Sequence, residues 1–179
     1  MNQSKITVRY ARALFILAKE KNVLDVIEED MKLIFNVCQT VNEFILLLES
    51  PIITISKKQN IIHEIFKAKV HEISLSFLDL ITKNKREIFI KDIARNFLDL
   101  FKKHKGIKTT VFTSAVKIDQ SLRNYIIELV KKGFNTEVEL IENTDEKLIG
   151  GFILRVDDQQ FDASISTKLK KIKYDLINT

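Results

Sequence analysis

The sequence predicts a mainly α-helical protein, with an N-terminal six-helix bundle followed by a small α+β domain. The first observation is the helical spacing of apolar residues throughout residues 1–105. The second is that the only proline is Pro51 and that all four glycines come late (Gly106, Gly133, Gly150 and Gly151). The third is that β-branched and alternating segments, typical of strands, begin only after Gly106. We therefore divide the chain into a helical bundle, residues 1–105, and an α+β domain, residues 106–179.

The first predicted helix contains the segment RYARALFILA, Arg9 to Ala18, and it is unusually apolar. On a helical wheel its polar residues gather on one side, and the apolar arc covers about 220°. A surface helix needs an apolar stripe of only about 100° or somewhat more to pack on its core. Either this helix is enclosed within its own domain, or it has a second apolar face that meets a partner.

Five further helices complete the predicted bundle. The second is indicated by the helical spacing of Val23, Ile27, Met31, Ile34 and Cys38. The short third helix reads EFILLLES and ends at Pro51, and the fourth reads SKKQNIIHEIF, with Ser56 and Gln59 spaced as a capping box. The fifth reads HEISLSFLDLITKN and is as broadly apolar as the first. The sixth has one apolar side, formed by Phe89, Ile93, Phe97, Leu100 and Phe101.

The second domain mixes strands and helices. Its predicted strands read KTTVFTSA, TEVELIE and GGFILRV, and QQFD is expected to form a short hairpin arm with the last of them. The helix DQSLRNYIIELVKK is expected to end at Gly133 in a left-handed C-cap. The last helix is predicted from about Ala163 to Ile177, with Asp162 as its N-cap. Its apolar face is expected to pack on the sheet (Ile165, Leu169, Ile172 and Leu176).

Composition favours a protein with a packed core and a charged surface. Hydrophobic residues make up 45% of the chain and charged residues 30%, and no apolar run reaches the length of a membrane span. The N-terminus lacks the apolar segment of a secretory signal. The lone cysteine, Cys38, is expected to be buried and excludes an internal disulfide. The net charge of +5 falls entirely in residues 1–105 and is weak evidence for nucleic-acid binding.

Reactive side chains do not form a recognisable catalytic or metal site in the sequence. The three histidines, His63, His71 and His104, have no second metal ligand three or four residues further on. The glycine-rich phosphate-binding motifs and the nucleophile-elbow motif are absent. Gly150 and Gly151 precede a strand, so we interpret them as a tight strand entry where side chains would clash. We predict no catalytic activity, no metal and no cofactor.

Four segments in order resemble the delta subunit family of bacterial rotary ATP synthases, the counterpart of the mitochondrial oligomycin-sensitivity-conferring protein. They read RYARALFILA, SFLDLITKNKREIFIKDIARNF, VFTSAVKID and DEKLIGGFILRVDDQQFDASISTKL. The resemblance covers essentially the whole chain. Family motifs place structural residues at Asn84, Arg86, Gly150, Gly151, Asp162 and Ser164. The chain departs from the family pattern at Asp157 and Ala163, where the family often has glycine, and at Ser166, Thr167 and Lys168, where it is rich in arginine.

The resemblance implies a non-catalytic stator subunit that links the α/β catalytic head to the peripheral stalk and resists rotor torque. It implies that residues 1–105 bind the N-terminal helix of an α subunit, and that residues 106–179 contact the C-terminal end of the b-subunit stalk. It also implies a peripheral location on the cytoplasmic face of the bacterial inner membrane. Nucleic acid and a second copy of the chain are not expected partners, and membrane association is expected only through the complex.

In the family the α-subunit helix lies across the first and fifth helices, the two that are too apolar for one core. By that resemblance, one wall of the groove is assigned to Tyr10, Ala13, Leu14 and Leu17. The other wall is assigned to Phe77, Leu80 and Ile81. A helical wheel cannot tell which side of a wide apolar arc faces outward, so several of these residues could face the core instead. Asn84 and Arg86 are interpreted as shaping the joint into the sixth helix.

Two alternatives remain open at this point. A compact basic helical bundle could bind RNA, in which case binding would weaken steeply as ionic strength rises. That function leaves the second domain unexplained. A free-standing enzyme would need a convergent polar pocket that the sequence does not indicate.

Overall fold

The computed structural model describes residues 5–134, 136–156 and 159–177, without the side chains of residues 170–172 and 175–177. Asp157, one of the departures from the family pattern, lies outside the described residues. The chain is mainly helical with a small four-stranded sheet near its C-terminus, as predicted. It forms two compact units, Met1–Lys102 and Lys103–Thr179.

The described part of the first unit contains six α-helices. Their bounds are α1 (Lys5–Glu20), α2 (Leu24–Thr40), α3 (Asn42–Glu49), α4 (Ile55–Phe66), α5 (Glu72–Lys83) and α6 (Ile90–Lys105), which continues into the next unit. A 3-10 turn, Glu87–Phe89, joins α5 to α6. Each helix turns one apolar side towards a common core, so that α1, for example, buries Ala11, Leu14 and Ala18 there together with the polar Thr7.

Two helices of this glycine-free unit end in left-handed residues that are not glycine. Asn22, after α1, and Lys85, after α5, both have φ of 56°. At the end of α5, the Lys85 N–H donates to Thr82 O and the Arg86 N–H donates to Ile81 O, both at 3.0 Å. This pair of hydrogen bonds is a Schellman motif, with Asn84 at the C-cap. The segment thus turns the chain sharply out of α5 towards α6.

A buried ion pair joins α3, α4 and the turn before α6. The Lys58 ammonium lies 2.6 Å from Glu87 Oε1 and also donates to Leu48 O at 2.6 Å. Both side chains are almost fully buried. The predicted capping box at Ser56 and Gln59 is wrong, because α4 already begins at Ile55 and the cap position, Thr54, makes no side-chain cap.

Lys58→Met is expected to lower the free energy of unfolding of the first unit by about 3 kcal/mol. The reason is that the Glu87 carboxylate would stay buried without its cation. Denaturant unfolding followed by circular dichroism measures the loss. Lys58→Met/Glu87→Leu should recover most of it, since no uncompensated charge remains. Equal losses in the single and double variants would contradict this explanation.

Among its described residues, the second unit combines a small sheet with two α-helices and a 3-10 turn, Glu146–Leu148. Its elements are β1 (Lys108–Ser114), α7 (Gln120–Phe134), β2 (Val138–Thr144), β3 (Phe152–Val156), β4 (Gln159–Asp162) and α8 (Ile165–Ile177). The strand order is β2-β1-β3-β4, with β1 and β2 parallel and the other pairs antiparallel. The core lies between the sheet and α7, and its buried residues are Phe112, Ile126, Val130, Leu140 and Val156.

Helix α7 differs from its prediction at its C-terminal end and has a clear N-cap. Gly133 lies inside the helix without a positive φ, so the predicted left-handed C-cap at this residue is wrong. At the other end, Asp119 Oδ1 accepts a hydrogen bond from the Leu122 N–H at 2.8 Å. This bond, helped by the Ser121 hydroxyl, lowers the pKa of Asp119 below its ordinary value.

Helix α8 also differs from its prediction. It begins at Ile165 rather than at Ala163. Its side chains Ile165 and Leu169 are 43% and 53% exposed, so this apolar face is not buried against the sheet as expected. Ile172 and Leu176, also assigned to that face, have side chains outside the described part of the chain.

Two further sequence predictions concern the membrane and the cysteine. Within the described residues no single helix is long and apolar enough to cross a membrane; α2 and α3 reach that length and composition only as a pair, bent by 92°. Cys38 is buried in the core of the first unit, as predicted. Burial raises the pKa of its thiol to about 11, so the group stays uncharged near neutral pH.

Candidate partner-docking site

Helices α1 and α5 leave an open apolar groove between them, which we call the α1–α5 groove. It has a volume of about 350 Å³ and is lined by Arg9, Tyr10, Ala13, Leu14 and Leu17 of α1 and by Phe77 and Leu80 of α5. A second depression of about 350 Å³ continues along α5 and shares Leu17, Phe77 and Leu80. The two depressions together form a trough that follows the helices.

The structure brings six of the seven predicted docking residues to this groove. Leu17 and Leu80 are 40% and 49% exposed and form its rims, whereas the nearly buried Leu14 and Phe77 form its floor. Ile81 is different: it is only 1% exposed and belongs to the core, so its assignment to the outer wall is wrong. Neighbouring helical residues point about 100° apart, and from Leu80 to Ile81 this step leads from the groove into the core.

Contacts across the groove hold its two walls together. The ring of Tyr10 packs against that of Phe77, with 6.3 Å between the ring centroids. The Asn84 amide donates a hydrogen bond to the Tyr10 hydroxyl at 3.2 Å. Asn84 therefore has two roles, since it also forms the C-cap of α5. Arg86 contributes its backbone N–H to the same turn, and its side chain is exposed.

Hydrogen bonds to other helices of the unit also hold α1 and α5 in place. The Asn96 amide of α6 donates to the Thr7 hydroxyl of α1 at 2.9 Å, and both side chains are buried. At the start of α5, Asp30 Oδ2 accepts from the His71 N–H at 2.9 Å and from the Ser74 hydroxyl at 2.6 Å. The groove is thus formed before any partner arrives, which reduces the entropy that binding must overcome.

The outer side of α1 carries residues that the sequence pattern did not assign to the site. A depression of about 520 Å³ is lined there by Lys5, Val8, Arg9, Arg12, Ala13 and Ile16. Ile16 is 49% exposed and was not assigned to the site. The sequence spacing already indicated this position, because Ile16 lies three residues after Ala13 and therefore on the same helical face.

A polar depression lies beside α4 and α5. His63 Nε2 lies 2.8 Å from Asp79 Oδ2, and the other lining residues are Gln59, Asn60, Glu64 and Lys67. These residues supply no hydroxyl or thiol nucleophile. Across the described part of the chain, no group of three or more His, Cys, Asp or Glu side chains is placed to hold a metal ion.

In the second unit, the two adjacent glycines fit closely against the segment that starts α8. Gly151 has φ of +78°, and a Cβ on it would lie 2.4 Å from Ala163 O. A Cβ on Gly150 would lie 2.7 Å from the Ile165 side chain. The Ile165 N–H donates to Gly150 O at 3.0 Å, which fixes the contact. The close approach needs residues without side chains.

Ser164, not Asp162, is the N-cap of α8. The Ser164 hydroxyl accepts a hydrogen bond from the Thr167 N–H at 3.2 Å. Asp162 supports this cap from two residues upstream: its Oδ1 accepts from the Ser164 N–H at 2.9 Å and its Oδ2 from the Thr167 hydroxyl at 2.8 Å. The prediction of Asp162 as the N-cap is therefore corrected by two residues, because the helix starts later than its sequence pattern indicates.

An apolar strip is left open beside this junction, and we call it the α8 strip. It consists of Ile149, Ile165 and Leu169, which are 71%, 43% and 53% exposed. Ile149 has φ of 63°, a left-handed conformation that a β-branched residue rarely adopts. Ala163, Ser166, Thr167 and Lys168, where the chain departs from the family pattern, lie at the same end of α8.

These features define a class of protein. One unit is a helical body with a preformed apolar groove, and the other is a small α/β body with an open apolar strip. Exposed apolar surfaces of this kind are typical of proteins that bind other proteins. The sequence pattern of the ATP synthase delta (OSCP) subunit family matches residues 6–176, and the chain belongs to this family. Delta subunits are non-catalytic structural subunits of ATP synthase, peripheral to the membrane complex.

Individual relatives agree with this assignment. The ATP synthase subunit delta of Cytophaga hutchinsonii is 36% identical over 174 residues, covering 97% of this chain and 94% of the relative. That of Christiangramia forsetii is 34% identical and covers 98% of this chain and 95% of the relative. A chain in the cryo-EM structure of the Toxoplasma gondii mitochondrial ATP synthase hexamer superposes with a TM-score of 0.80. It is 22% identical, with 97% of this chain and 98% of that chain covered, and shares the fold.

Proposed function

We propose that this protein is the stator link of a rotary proton-translocating ATP synthase. Its six N-terminal helices, residues 1–105, would act as one bundle domain that grips the N-terminal helix of an α subunit. Residues 106–179 would contact the C-terminal end of the b-subunit stalk. The link would keep the α/β head from turning with the rotor during ATP synthesis.

The α1–α5 groove is the observation that carries this proposal. Its apolar rims, Leu17 and Leu80, are exposed in the isolated chain, and its floor is closed by Leu14 and Phe77. An amphipathic helix lays its apolar face into a groove of this kind. Specific complexes commonly bury about 1,600 Å² in total, and a durable link needs nanomolar affinity, about −12 kcal/mol.

The α8 strip supports the assignment of the stalk contact. Its three apolar side chains are open, and the helix that carries two of them starts from a rigid junction, because Gly150 and Gly151 fit tightly against it. A stalk helix could cover these side chains. We place the protein at the cytoplasmic face of the bacterial inner membrane, attached through the complex and without self-association.

A titration tests the proposal directly. The full chain is titrated calorimetrically with a peptide of the first 25 or so residues of the α subunit from the same organism, a length that forms an interface helix. We expect a 1:1 complex with submicromolar or tighter affinity, and none with a scrambled peptide. No binding at 100 µM peptide, or instead strong salt-dependent binding of RNA by the same surface, would overturn the proposal.

A further inference from the structure

Three cations lie on the outer side of α1, beside the α1–α5 groove. Lys5, Arg9 and Arg12 are all exposed and line the outer depression of α1, and Arg9 also lines the groove itself. Among the described residues none of the three makes an ion pair, and α1 contains no acidic residue before Glu20. This side of α1 therefore carries positive charge that the first unit does not neutralise at close range.

The spacing of these cations places them on one line. Positions 5, 9 and 12 differ by four and three residues, so they lie on one face of α1 and span about 10 Å along its axis. The Arg9 guanidinium lies 5.8 Å from the centroid of the Tyr10 ring, which restrains it over the groove. Such a line of cations matches carboxylates repeated every three to four residues on a second helix.

We propose that the helix occupying the α1–α5 groove presents a row of carboxylates to Lys5, Arg9 and Arg12. This inference rests on the proposed function and specifies the chemistry of the partner: an amphipathic helix with one apolar face and an acidic edge. The apolar groove supplies most of the affinity. The charged side of α1 speeds the encounter and fixes which way round the guest helix lies.

The position of the cations favours a helix over other anions. They lie beside a groove whose exposed rims are the apolar side chains Leu17 and Leu80, and none of the described residues that line the outer depression of α1 is an aromatic on which bases could stack. A helix with an apolar face and an acidic edge satisfies both the groove and the cations at once.

Association kinetics test the inference. The chain with Arg9→Gln/Arg12→Gln is mixed with the α-subunit N-terminal peptide in a stopped-flow instrument at 50 and 300 mM NaCl. We expect its association rate at 50 mM to fall about tenfold, with a much weaker salt dependence than the unmodified chain. The control is Lys19→Gln/Lys21→Gln, which removes two exposed cations outside the groove lining and should change the rate less than twofold.

The peptide supplies the second arm of a double-mutant cycle. Replacing its acidic residues by their amides should slow association with the unmodified chain to the same degree, and should add little to the arginine variant. If the arginine variant binds as fast as the unmodified chain, the inference fails while the proposed function stands. If the unmodified chain does not bind the peptide at all, the proposed function fails. If the cations instead capture RNA or anionic vesicles and leave peptide association unchanged, the inference is overturned.

Discussion

Leu80→Asp is expected to weaken binding of the α-subunit N-terminal helix at least a thousandfold, about 4 kcal/mol. Leu80 lies in both stretches of the groove, so a carboxylate there would lose its hydrating water under the apolar face of the guest helix. Because Leu80 is already 49% exposed, the substitution removes little packing from the free protein. Calorimetry with the α-subunit peptide measures the loss, and circular dichroism checks that the fold is retained.

The matched control is Leu46→Asp. Leu46 is 66% exposed on α3 and lies outside the lining of the groove, and both leucines are in the C-terminal half of a helix. Both substitutions therefore add the same charge at a similar helical position, and both should cost less than about 1 kcal/mol of stability. Binding should survive only in Leu46→Asp. Equal affinity in the two variants would remove the groove from the proposed mechanism.

The sequence pattern indicated two broadly apolar helices, and the family resemblance placed the groove between them, but neither oriented every residue in it. Two helices with apolar arcs wider than one core needs could be recognised from spacing alone. Which part of the arc faces outward depends on where α6 lies, and α6 is held to α1 by Asn96 and Thr7, 89 positions apart. No local pattern contains such a contact. Leu17 is exposed, as its place on the outer side of α1 requires, whereas Ile81 of α5 faces the core.

The buried ion pair was missed for a related reason. Lys58 and Glu87 are 29 positions apart, and each reads locally as a surface charge on an amphipathic segment. Only the packing of α3, α4 and the turn before α6 encloses them. Fold class and element type followed from periodicity, whereas the pairing of distant polar groups required coordinates.

In the second unit, too, some features could be predicted from the local sequence, whereas others depend on contacts between distant residues. Glycine was interpreted by sequence position, which succeeded at the strand entry of Gly150 and Gly151 and failed at Gly133 inside α7. The exposed face of α8 could not be foreseen, since an apolar helical stripe looks the same whether its own sheet or a partner covers it. In this chain the described part of that stripe remains open.

Gly151→Ala is expected to destabilise the second unit by about 4 kcal/mol. Alanine at φ of +78° is strained, and its Cβ would stand 2.4 Å from the backbone oxygen of Ala163, which no side-chain rotation can relieve. Hydrogen exchange of amides in β3 and α8 should rise sharply. Because the first unit is untouched, α-subunit peptide binding at the groove should not change, and loss of that binding would contradict a local effect.

A series at the other glycines separates backbone clash from the general effect of adding a methyl group. At Gly150 the new Cβ would meet only the tip of the Ile165 side chain, at 2.7 Å, which can move, so Gly150→Ala should cost less than Gly151→Ala. At Gly133, inside α7, nothing lies within 4 Å, and Gly133→Ala should stabilise the unit by roughly 0.5–1 kcal/mol. The midpoint of thermal unfolding should therefore be highest for Gly133→Ala, followed by the unmodified chain, then Gly150→Ala, and lowest for Gly151→Ala. Any order that places Gly151→Ala above Gly150→Ala would mean that the contact with Ala163 does not set the geometry from which α8 begins.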